Sequence, residues 1–420
     1  MREIKPLQEL DATVRIPGSK SYTQRAMVIA ALADGESRLS DGLISEDTQA
    51  LAAALVELGT ELKFVGTTIT LRGTGGRIAR PAQAIHLGNN GTAIRLLTAF
   101  SSLGKGPVVL TGTPRLRERP LLPLITALAS LGVELSTEGG RGYPPVTIRG
   151  GRLSGQELVL RDIESSQYVS ALLIVAPFAE GDVTIVLQGR IPSLPYIALT
   201  LETMAAFGIT VAADRPGRYL VPSGQRYQGR SYRIEGDVSS ASYFFAAAAL
   251  AKGRIRVENI APQTRQGDIA FLGVLERLGC RILRGESHVE VRGGAMPAGE
   301  MVFEMGAMPD MVPTLSVLLA CRPGRSEIRG VAHLRVKESD RLAALVAELR
   351  KTGIAAEELA DGIVIEGGTP RGALIETYQD HRIAMSFAVL GLVSPGMQIS
   401  DEQCVAKSFP DFWQALEGLY

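Results

Sequence analysis

The sequence predicts an α/β fold in which six copies of one unit, each of about 70 residues, form two domains of three units. The first observation is a helical stretch that ends in a glycine and recurs at Gly59, Gly132, Gly208, Gly279 and Gly353. The second is a pair of short strand-like runs after each glycine, as in TITLRGTGG and HVEVRGG. The third is another helix earlier in each unit, which makes the order helix, strand, helix, hairpin.

The helix starts repeat with the same period as the glycines. The earlier helix of each unit is predicted to start at Lys20, Gly91, Ser166, Ser239, Asp310 and Asp380. The later helix is predicted to start at Asp47, Arg119, Pro195, Asp268, Asp340 and Pro410. Most of these positions or their neighbours carry Ser, Thr, Asp, Asn or Pro, which helix N-termini prefer. The glycines suit helix C-caps, where a left-handed residue is needed.

The two ends of the chain complete each other in this interpretation. The last helix, ALEGLY, ends at Tyr420 with no hairpin after it, and strand-like runs (EIKPL and ATVRIPG) lie near the N-terminus. We therefore expect the N-terminal strand to complete the second domain. The predicted domains are residues 16–228, and residues 1–15 together with 229–420, with hinges near 16–18 and 222–229.

Composition restricts the class of protein. The 420 residues are 45% hydrophobic and 21% charged, with 44 basic and 44 acidic residues, so large cores are possible and a general nucleic-acid or membrane-surface binder is disfavoured. No apolar run approaches the length of a membrane helix, and the start has no secretory apolar region. The widely spaced Cys280, Cys321 and Cys404 suggest reduced thiols. We expect a cytoplasmic protein without nucleic-acid or membrane partners.

Basic residues collect at the helix starts of four of the six units. They are Lys20, Arg25, Arg95, Arg119, Lys337, Arg341, Arg382 and Lys407. The dipole of a helix disfavours cations at its N-terminus, whereas the free N–H groups there bind anions. Cations that recur at the helix starts of several units therefore indicate a strongly anionic ligand. The fourth unit, DVSSASYFF, has no cation at its helix start and is interpreted as structural.

Nine motifs in order resemble one known family. They are PGSKSYTQRA, LGNNGTAIRLL, RERP, SSQY, PSLPY, MPDM, RVKESDRL, QDHRIAMSF and AKSFPDF. Over its whole length, the sequence resembles the EPSP synthase branch of the enolpyruvyl transferases in these motifs. The resemblance implies a two-domain inside-out α/β barrel, with three repeated α/β units in each domain. It also implies transfer of the enolpyruvyl group of phosphoenolpyruvate to the 5-hydroxyl of shikimate 3-phosphate, in the pathway to chorismate and aromatic amino acids.

The resemblance also assigns roles to residues. Shikimate 3-phosphate would be bound by Lys20, Ser21, Arg25, Ser165, Ser166, Gln167, Ser193, Tyr196, Asp310 and Lys337. Phosphoenolpyruvate would be bound by Lys20, Asn90, Gly91, Arg119, Gln167, Arg341, His381, Arg382 and Lys407. His381 could instead support neighbouring groups by a hydrogen bond without touching the phosphate.

The implied reaction needs a general acid, a general base and a cationic clamp. Phosphoenolpyruvate gains a proton at its methylene carbon, and the attacking hydroxyl loses one. We expect Asp310 to act as the base and Glu338 to serve the methylene carbon, with Lys20 as the alternative to Glu338. Arginine suits the clamp because its fork binds carboxylate and phosphate in a bidentate manner.

Two other functions stay open at this point. One is the sister reaction on UDP-N-acetylglucosamine, which is disfavoured because no cysteine lies in the loop near Arg115–Arg119. The other is a non-catalytic phosphate-binding protein of the same fold. No cofactor or metal is expected, since the histidines lack ligand spacing and no nucleotide-binding motif occurs. The protein is expected to act as a monomer on small-molecule substrates.

Overall fold

The computed structural model describes all residues from Met1 to Tyr420 and divides into two compact units. The N-terminal unit is Gly18–Ile234, and the C-terminal unit combines Met1–Pro17 with Glu235–Tyr420. The second boundary lies a few residues beyond the expected one because a strand at Ser231–Arg233 pairs with the strand Glu36–Ser40 of the N-terminal unit. No helix is long and apolar enough to cross a bilayer.

Helices and strands alternate along the whole chain. The helices are α1 (Lys20–Leu32), α2 (Glu46–Glu57), α3 (Gly91–Ser101), α4 (Pro114–Arg117), α5 (Leu122–Ser130), α6 (Gln167–Val175), α7 (Pro195–Ala206), α8 (Val238–Ala251), α9 (Phe271–Arg277), α10 (Val312–Ala320), α11 (Arg341–Lys351), α12 (His381–Gly391) and α13 (Phe412–Glu417). Short 3-10 helices lie at Glu138–Gly140, Ala176–Phe178, Gly267–Ala270, Pro309–Met311, Ala332–Val336 and Glu402–Lys407.

The strands are short and numerous. They are β1 (Arg2–Glu3), β2 (Asp11–Val14), β3 (Glu36–Ser40), β4 (Glu61–Val65), β5 (Thr68–Arg72), β6 (Ile85–His86), β7 (Lys105–Thr111), β8 (Val133–Thr137), β9 (Val146–Gly151), β10 (Glu157–Arg161), β11 (Val183–Gln188), β12 (Ala212–Arg215), β13 (Arg218–Val221), β14 (Ser231–Arg233), β15 (Arg254–Val257), β16 (Arg281–Arg284), β17 (Val289–Arg292), β18 (Met301–Glu304), β19 (Gly324–Arg329), β20 (Ala355–Leu359), β21 (Gly362–Gly367), β22 (Leu374–Ile375) and β23 (Gln398–Ile399).

Each unit contains three sheets, and five of the six sheets have four strands in the same arrangement, while the sixth has three. In the N-terminal unit the strand orders are β14-β3-β5-β4, β6-β7-β9-β8 and β10-β11-β13-β12. In the C-terminal unit they are β16-β17-β15-β2, β18-β19-β21-β20 and β1-β23-β22. Every sheet has one parallel pair, and the chain start supplies β2, parallel to β15, and β1, antiparallel to β23. The hairpins that the sequence predicts thus sit beside one strand from a neighbouring segment.

One helix of each repeat is buried on almost every face. All nine residues of α10 and all eleven of α12 are buried, and α8, α10 and α12 contact one another. In the N-terminal unit α3 contacts both α1 and α6. A helix that is apolar all round belongs inside a core. The sheets therefore surround a central group of helices in each unit.

The predicted helix starts lie close to the observed ones. Lys20, Gly91 and Pro195 are first residues of helices, while Asp340 and Asp380 are N-caps whose carboxylates accept backbone N–H groups.

The start expected at Arg119 lies three residues later, at Leu122. The Arg119 N–H closes the short helix α4 by donating to the Leu116 carbonyl, and Pro120 follows. Proline has no N–H group and restricts the residue before it, which separates the two helices.

Candidate active site

Lys20 is held at the point where three helix starts meet. Its Nζ lies 3.2 Å from Asp47 Oδ2, and their side chains are only 14% and 7% exposed. Asp47 is in the first turn of α2, and its carbonyl accepts a hydrogen bond from Asn90 Nδ2 at 2.8 Å. Asn90 also caps α3 by accepting the Ala93 N–H at 2.9 Å. The starts of α1, α2 and α3 are thus linked by side chains, and both ends of the Asn90 amide are engaged.

Arg25 is a buried cation whose hydrogen bonds go to neutral oxygens. It donates to Thr200 Oγ1 at 2.8 Å, Ser170 Oγ at 3.3 Å and the Ser21 carbonyl at 3.1 Å. Its guanidinium carbon lies 5.9 Å from the ring centroid of Tyr196. Burial lowers the pKa of Arg25 to about 10, so the group stays charged at neutral pH. None of these hydrogen bonds goes to a carboxylate, so they leave the charge of Arg25 without an anionic partner among these acceptors.

Gln167 begins α6 and is oriented by its neighbours. Arg95 Nη1 donates to its Oε1 at 2.8 Å, and its Nε2 donates to Thr92 Oγ1 at 2.9 Å. Ser165 Oγ accepts the Gln167 N–H at 3.2 Å, and Ser166 is the buried N-cap residue. The serines and the glutamine therefore form one polar group at the end of the helix.

Arg119 packs directly on Gly91. A Cβ added to Gly91 would lie 2.4 to 2.6 Å from three guanidinium atoms of Arg119. Arg119 is 4% exposed, and its Nη1 donates to the Asn89 carbonyl at 3.3 Å. The absence of a side chain at position 91 therefore gives the Arg119 guanidinium its place at the start of α3.

Ser193 and Tyr196 lie together at the start of α7. Ser193 is buried and has a left-handed backbone with φ of 57°. Its carbonyl accepts the Tyr196 N–H at 3.0 Å, and α7 contacts α1. We use "N-terminal half-site" for the predicted residues of this unit, from Lys20 to Tyr196, because each lies at or within about one turn of a helix start, or beside one.

The C-terminal unit gathers its predicted residues around Arg341. This guanidinium is 1% exposed and lies 3.1 Å from Asp310, 2.8 Å from Glu338 and 2.8 Å from Asp380. Arg382 Nη2 reaches the other oxygen of Asp310 at 2.8 Å. The starts of α11 and α12 and the 3-10 helix before α10 therefore meet at one network, which we call the "C-terminal half-site".

The charges in this network control the protonation of its members. Burial alone would raise the pKa of Asp310, but Arg382, Lys337 and Arg341 outweigh it and hold the pKa well below its usual value. Burial opposes the charge on Arg341, but Asp380, Glu338 and Asp310 outweigh it, so the pKa of Arg341 is raised. Asp310 is therefore a carboxylate in the protein without ligands.

The remaining predicted residues lie beside the same network. His381 is fully buried, and its Nδ1 lies 3.8 Å from Asp380 Oδ1. Lys337 acts electrostatically on Asp310. Lys407 is 7% exposed and ends the 3-10 helix that contacts α12.

No group of three or more His, Cys, Asp or Glu side chains is arranged to hold a metal ion. Burial raises the pKa of Cys280 to about 11 and that of Cys321 to about 12, so both thiols are protonated and poorly nucleophilic at neutral pH.

Several residues of these half-sites were not predicted as site residues. Asp47 and Asp380 hold Lys20 and Arg341, and Arg95 orients Gln167. Tyr243 accepts a hydrogen bond from Arg382 at 3.4 Å. The repeat could have drawn attention to Asp47 and Asp380, because both lie at predicted helix starts. Nothing in the sequence pattern marks Tyr243.

The fold and the two half-sites define an α/β repeat protein with buried cations gathered at helix N-termini. Residues 4–416 match the family model of EPSP synthase (3-phosphoshikimate 1-carboxyvinyltransferase). A relative from Trichormus variabilis is 44% identical over 96% of this chain and 95% of its own. One from Syntrophobacter fumaroxidans is 43% identical over 100% and 99%. Both are named 3-phosphoshikimate 1-carboxyvinyltransferase.

A solved structure gives the same result. The EPSP synthase of Acinetobacter baumannii superimposes with a TM-score of 0.81 at 28% identity, over 99% of this chain and 97% of that one. The chain therefore belongs to the EPSP synthase family, and it is an enzyme of the transferase class. The fold class and the family predicted from the motifs are confirmed.

Proposed function

We propose that this chain transfers the enolpyruvyl group of phosphoenolpyruvate to the 5-hydroxyl of shikimate 3-phosphate and releases phosphate. The observation that carries the proposal is the pair of half-sites, one with buried cations bonded to neutral oxygens and one with two arginines on a carboxylate. Family membership and the names of the relatives support it.

Each half-site suits one part of the substrates. In the proposal Arg25, Tyr196 and the serines of the N-terminal half-site, with Lys337, bind shikimate 3-phosphate, because a buried guanidinium among hydroxyl groups needs a carboxylate or phosphate partner. Arg341, Arg382, Lys407 and Arg119 bind phosphoenolpyruvate, with Gly91 and Gln167 beside it. Lys20 contacts both substrates.

Asp310 is the proposed general base. In the free protein its pKa is lowered by the two arginines and Lys337. A phosphate or carboxylate group on Arg341 and Arg382 competes for their charge, so substrate binding raises the pKa of Asp310 toward a value useful for proton transfer. Asp310 then accepts the proton of the 5-hydroxyl while the hydroxyl oxygen bonds to the phosphoenolpyruvate carbon that carries the phosphate.

Glu338 or Lys20 supplies the proton that the methylene carbon gains. The resulting tetrahedral intermediate loses phosphate, and the methyl group returns a proton so that the carbon–carbon double bond forms again. Glu338 is 2.8 Å from Arg341, whereas Lys20 is paired with Asp47. Both candidates remain in the proposal. The variants Glu338→Gln and Lys20→Met separate them, because only the variant that lacks the proton donor should stop incorporating solvent protons into phosphoenolpyruvate.

The test is phosphate release with purified protein and both substrates. Turnover that needs both phosphoenolpyruvate and shikimate 3-phosphate supports the proposal. Turnover with UDP-N-acetylglucosamine in place of shikimate 3-phosphate would instead assign the sister reaction. Binding of both substrates with no phosphate released would leave a phosphate-binding protein. We further propose that the enzyme is cytoplasmic and monomeric. Sedimentation with and without substrates tests the monomeric state, and cell fractionation tests the location.

A further inference from the structure

The segment Glu376–Asp380, just before α12, has a disfavoured backbone. Tyr378 and Gln379 both have φ of 54°, in the left-handed region. This region suits glycine and, less well, Asn and Asp, and it is unfavourable for larger side chains because Cβ crowds the backbone. Two such residues in succession persist only where the surroundings hold them.

The buried carboxylate of Glu348 holds the first half of this segment. Glu348 lies in α11 and is fully buried. Its Oε1 accepts the Tyr378 hydroxyl at 2.7 Å, and its Oε2 accepts the Glu376 N–H at 3.0 Å. Lys351 Nζ lies 2.8 Å from the same carboxylate and balances its charge. Hydrogen bonds to a buried charged acceptor are among the strongest in proteins.

The other end of the segment is fixed at the C-terminal half-site. Asp380 accepts Arg341 Nε at 2.8 Å and the Ser339 hydroxyl at 2.9 Å, and its Oδ1 accepts the Arg382 N–H at 3.0 Å. Arg341 begins α11, and Glu348 lies two turns further along the same helix. The left-handed pair therefore lies between two carboxylate contacts to one helix.

We propose that Tyr378 and Glu348 are positioning residues for Arg341 and Arg382, an inference that rests on the proposed role of these arginines in binding phosphoenolpyruvate. Neither residue is among those assigned to a substrate. The Tyr378–Glu348 hydrogen bond keeps the left-handed turn in place. The turn fixes Asp380 against the Arg341 guanidinium and the backbone N–H of Arg382, from which the Arg382 side chain extends. Without this bond the turn relaxes toward commoner backbone angles and Asp380 moves with it.

The main test is Tyr378→Phe, which removes the hydroxyl and keeps the ring. Tyr420→Phe is the matched control, because Tyr420 lies in the same unit and its hydroxyl donates to the Lys5 carbonyl away from the half-site. Loss of a hydrogen bond to a charged group predicts a rise of about tenfold in KM for phosphoenolpyruvate in Tyr378→Phe, with KM for shikimate 3-phosphate within about twofold. The control should match the wild type.

A second variant tests the role of the backbone. Glycine occupies the left-handed region without penalty, so adding Gln379→Gly to Tyr378→Phe should return KM for phosphoenolpyruvate to within about threefold of the wild type. Gln379→Gly alone should change it little. An equal rise in both KM values, or no rescue by glycine, would show a general loss of structure and overturn the proposal.

Hydrogen exchange tests the positioning role of Tyr378 independently of the proposed reaction. In the free protein Tyr378→Phe should speed exchange of the amides of residues 380–384 about tenfold, while Tyr420→Phe leaves them unchanged. Unchanged exchange in Tyr378→Phe would reject the positioning role whatever the substrate is. A wild type without turnover on both substrates, together with faster exchange in the variant, would reject the proposed function and keep the structural part of the inference.

Discussion

Asp310 is the residue whose chemistry depends most on its neighbours. It is a carboxylate with a lowered pKa between Arg341 and Arg382, at 3.1 and 2.8 Å. A base at this position acts mainly in the transition state, so its removal reduces turnover more than affinity.

For the variant Asp310→Asn, which keeps the shape, we expect kcat to fall by a factor of about 10² to 10⁴, with KM for either substrate changed far less. Steady-state kinetics with each substrate varied measures this. Glu358→Gln is the control, because Glu358 is a carboxylate of the same unit paired with Arg335 outside the half-site. Turnover of Asp310→Asn near that of the wild type would remove Asp310 from the mechanism.

The same residue predicts a pH dependence of stability. The folded pKa of Asp310 lies below the unfolded value of about 3.9. The carboxylate therefore stabilises the fold fully at pH values above the unfolded pKa, and this contribution is lost as the pH falls from the unfolded pKa to the folded pKa. Urea unfolding at pH 6 and pH 3 measures the change. The loss of unfolding free energy between these two pH values should be smaller in Asp310→Asn than in the wild type. An equal loss in both would contradict the lowered pKa.

Gly91 makes a second prediction at the residue scale. Gly91→Ala places a Cβ within 2.4 to 2.6 Å of the Arg119 guanidinium, which must then move. We expect KM for phosphoenolpyruvate to rise at least about tenfold, since a displaced charge-assisted contact costs about 1.5–3 kcal/mol, with a smaller effect on KM for shikimate 3-phosphate. Kinetics with each substrate varied tests it. Equal changes in the two KM values would argue against a role of Arg119 specific to phosphoenolpyruvate.

At the scale of elements, the helix interiors and the helix starts have different tasks. The central helices bury nearly every residue of their interiors, while the charged groups of the half-sites lie at helix starts. No proposed site residue lies in α9. Gly273 lies within α9 at an ordinary φ, and a Cβ added to it would meet no heavy atom within 4 Å.

Gly273→Ala should therefore stabilise the protein by about 0.5–1 kcal/mol, because alanine loses less backbone entropy in a helix. Denaturant unfolding measures the gain, and activity should be unchanged because α9 carries no proposed site residue. This variant is also the matched glycine-to-alanine control for Gly91→Ala. Destabilisation by Gly273→Ala would show that the space beside Gly273 is too small for a methyl group.

At the scale of the whole molecule, the chain start belongs to the unit that contains the chain end. Ile4 is 3% exposed. It packs so closely on α12 that a Cβ added to Gly391 would lie only 2.7 Å from the Cβ of Ile4. Its N–H donates to the Met397 carbonyl at 2.9 Å. The C-terminal unit therefore includes a piece of chain separated from the rest of it by more than 200 residues.

Ile4→Ala should destabilise the C-terminal unit by about 2–4 kcal/mol, since it removes buried methyl groups and leaves a cavity. Pulse proteolysis should show earlier cleavage within 235–420, with 18–234 still protected. Leu374→Ala is the control, because Leu374 is an exposed aliphatic residue of the same unit, and it should have little effect. Loss of protection in 18–234 alone would contradict the assignment of the chain start to the C-terminal unit.

The repeat, and through it most of the fold, follows from the sequence. Glycine caps and capping residues act through local backbone geometry, so the helix starts near Lys20, Gly91 and Pro195 could be predicted from the chain. The start near Arg119 is displaced because Pro120 separates α4 from α5. The cationic residues of the half-sites could also be identified, because cations at helix starts contradict an ordinary preference.

Which groups touch depends on how the separate elements pack. The pairing of Lys20 with Asp47, the contact of Arg119 with Gly91 and the left-handed turn held by Glu348 join residues that are 27, 28 and 30 positions apart. Side-chain direction across elements has no period in the sequence, so these contacts appear only once the chain is folded. For the same physical reason the lowered pKa of Asp310 could not be foreseen, because it arises from charges of two other segments, Lys337 and Arg341 in one and Arg382 in the other.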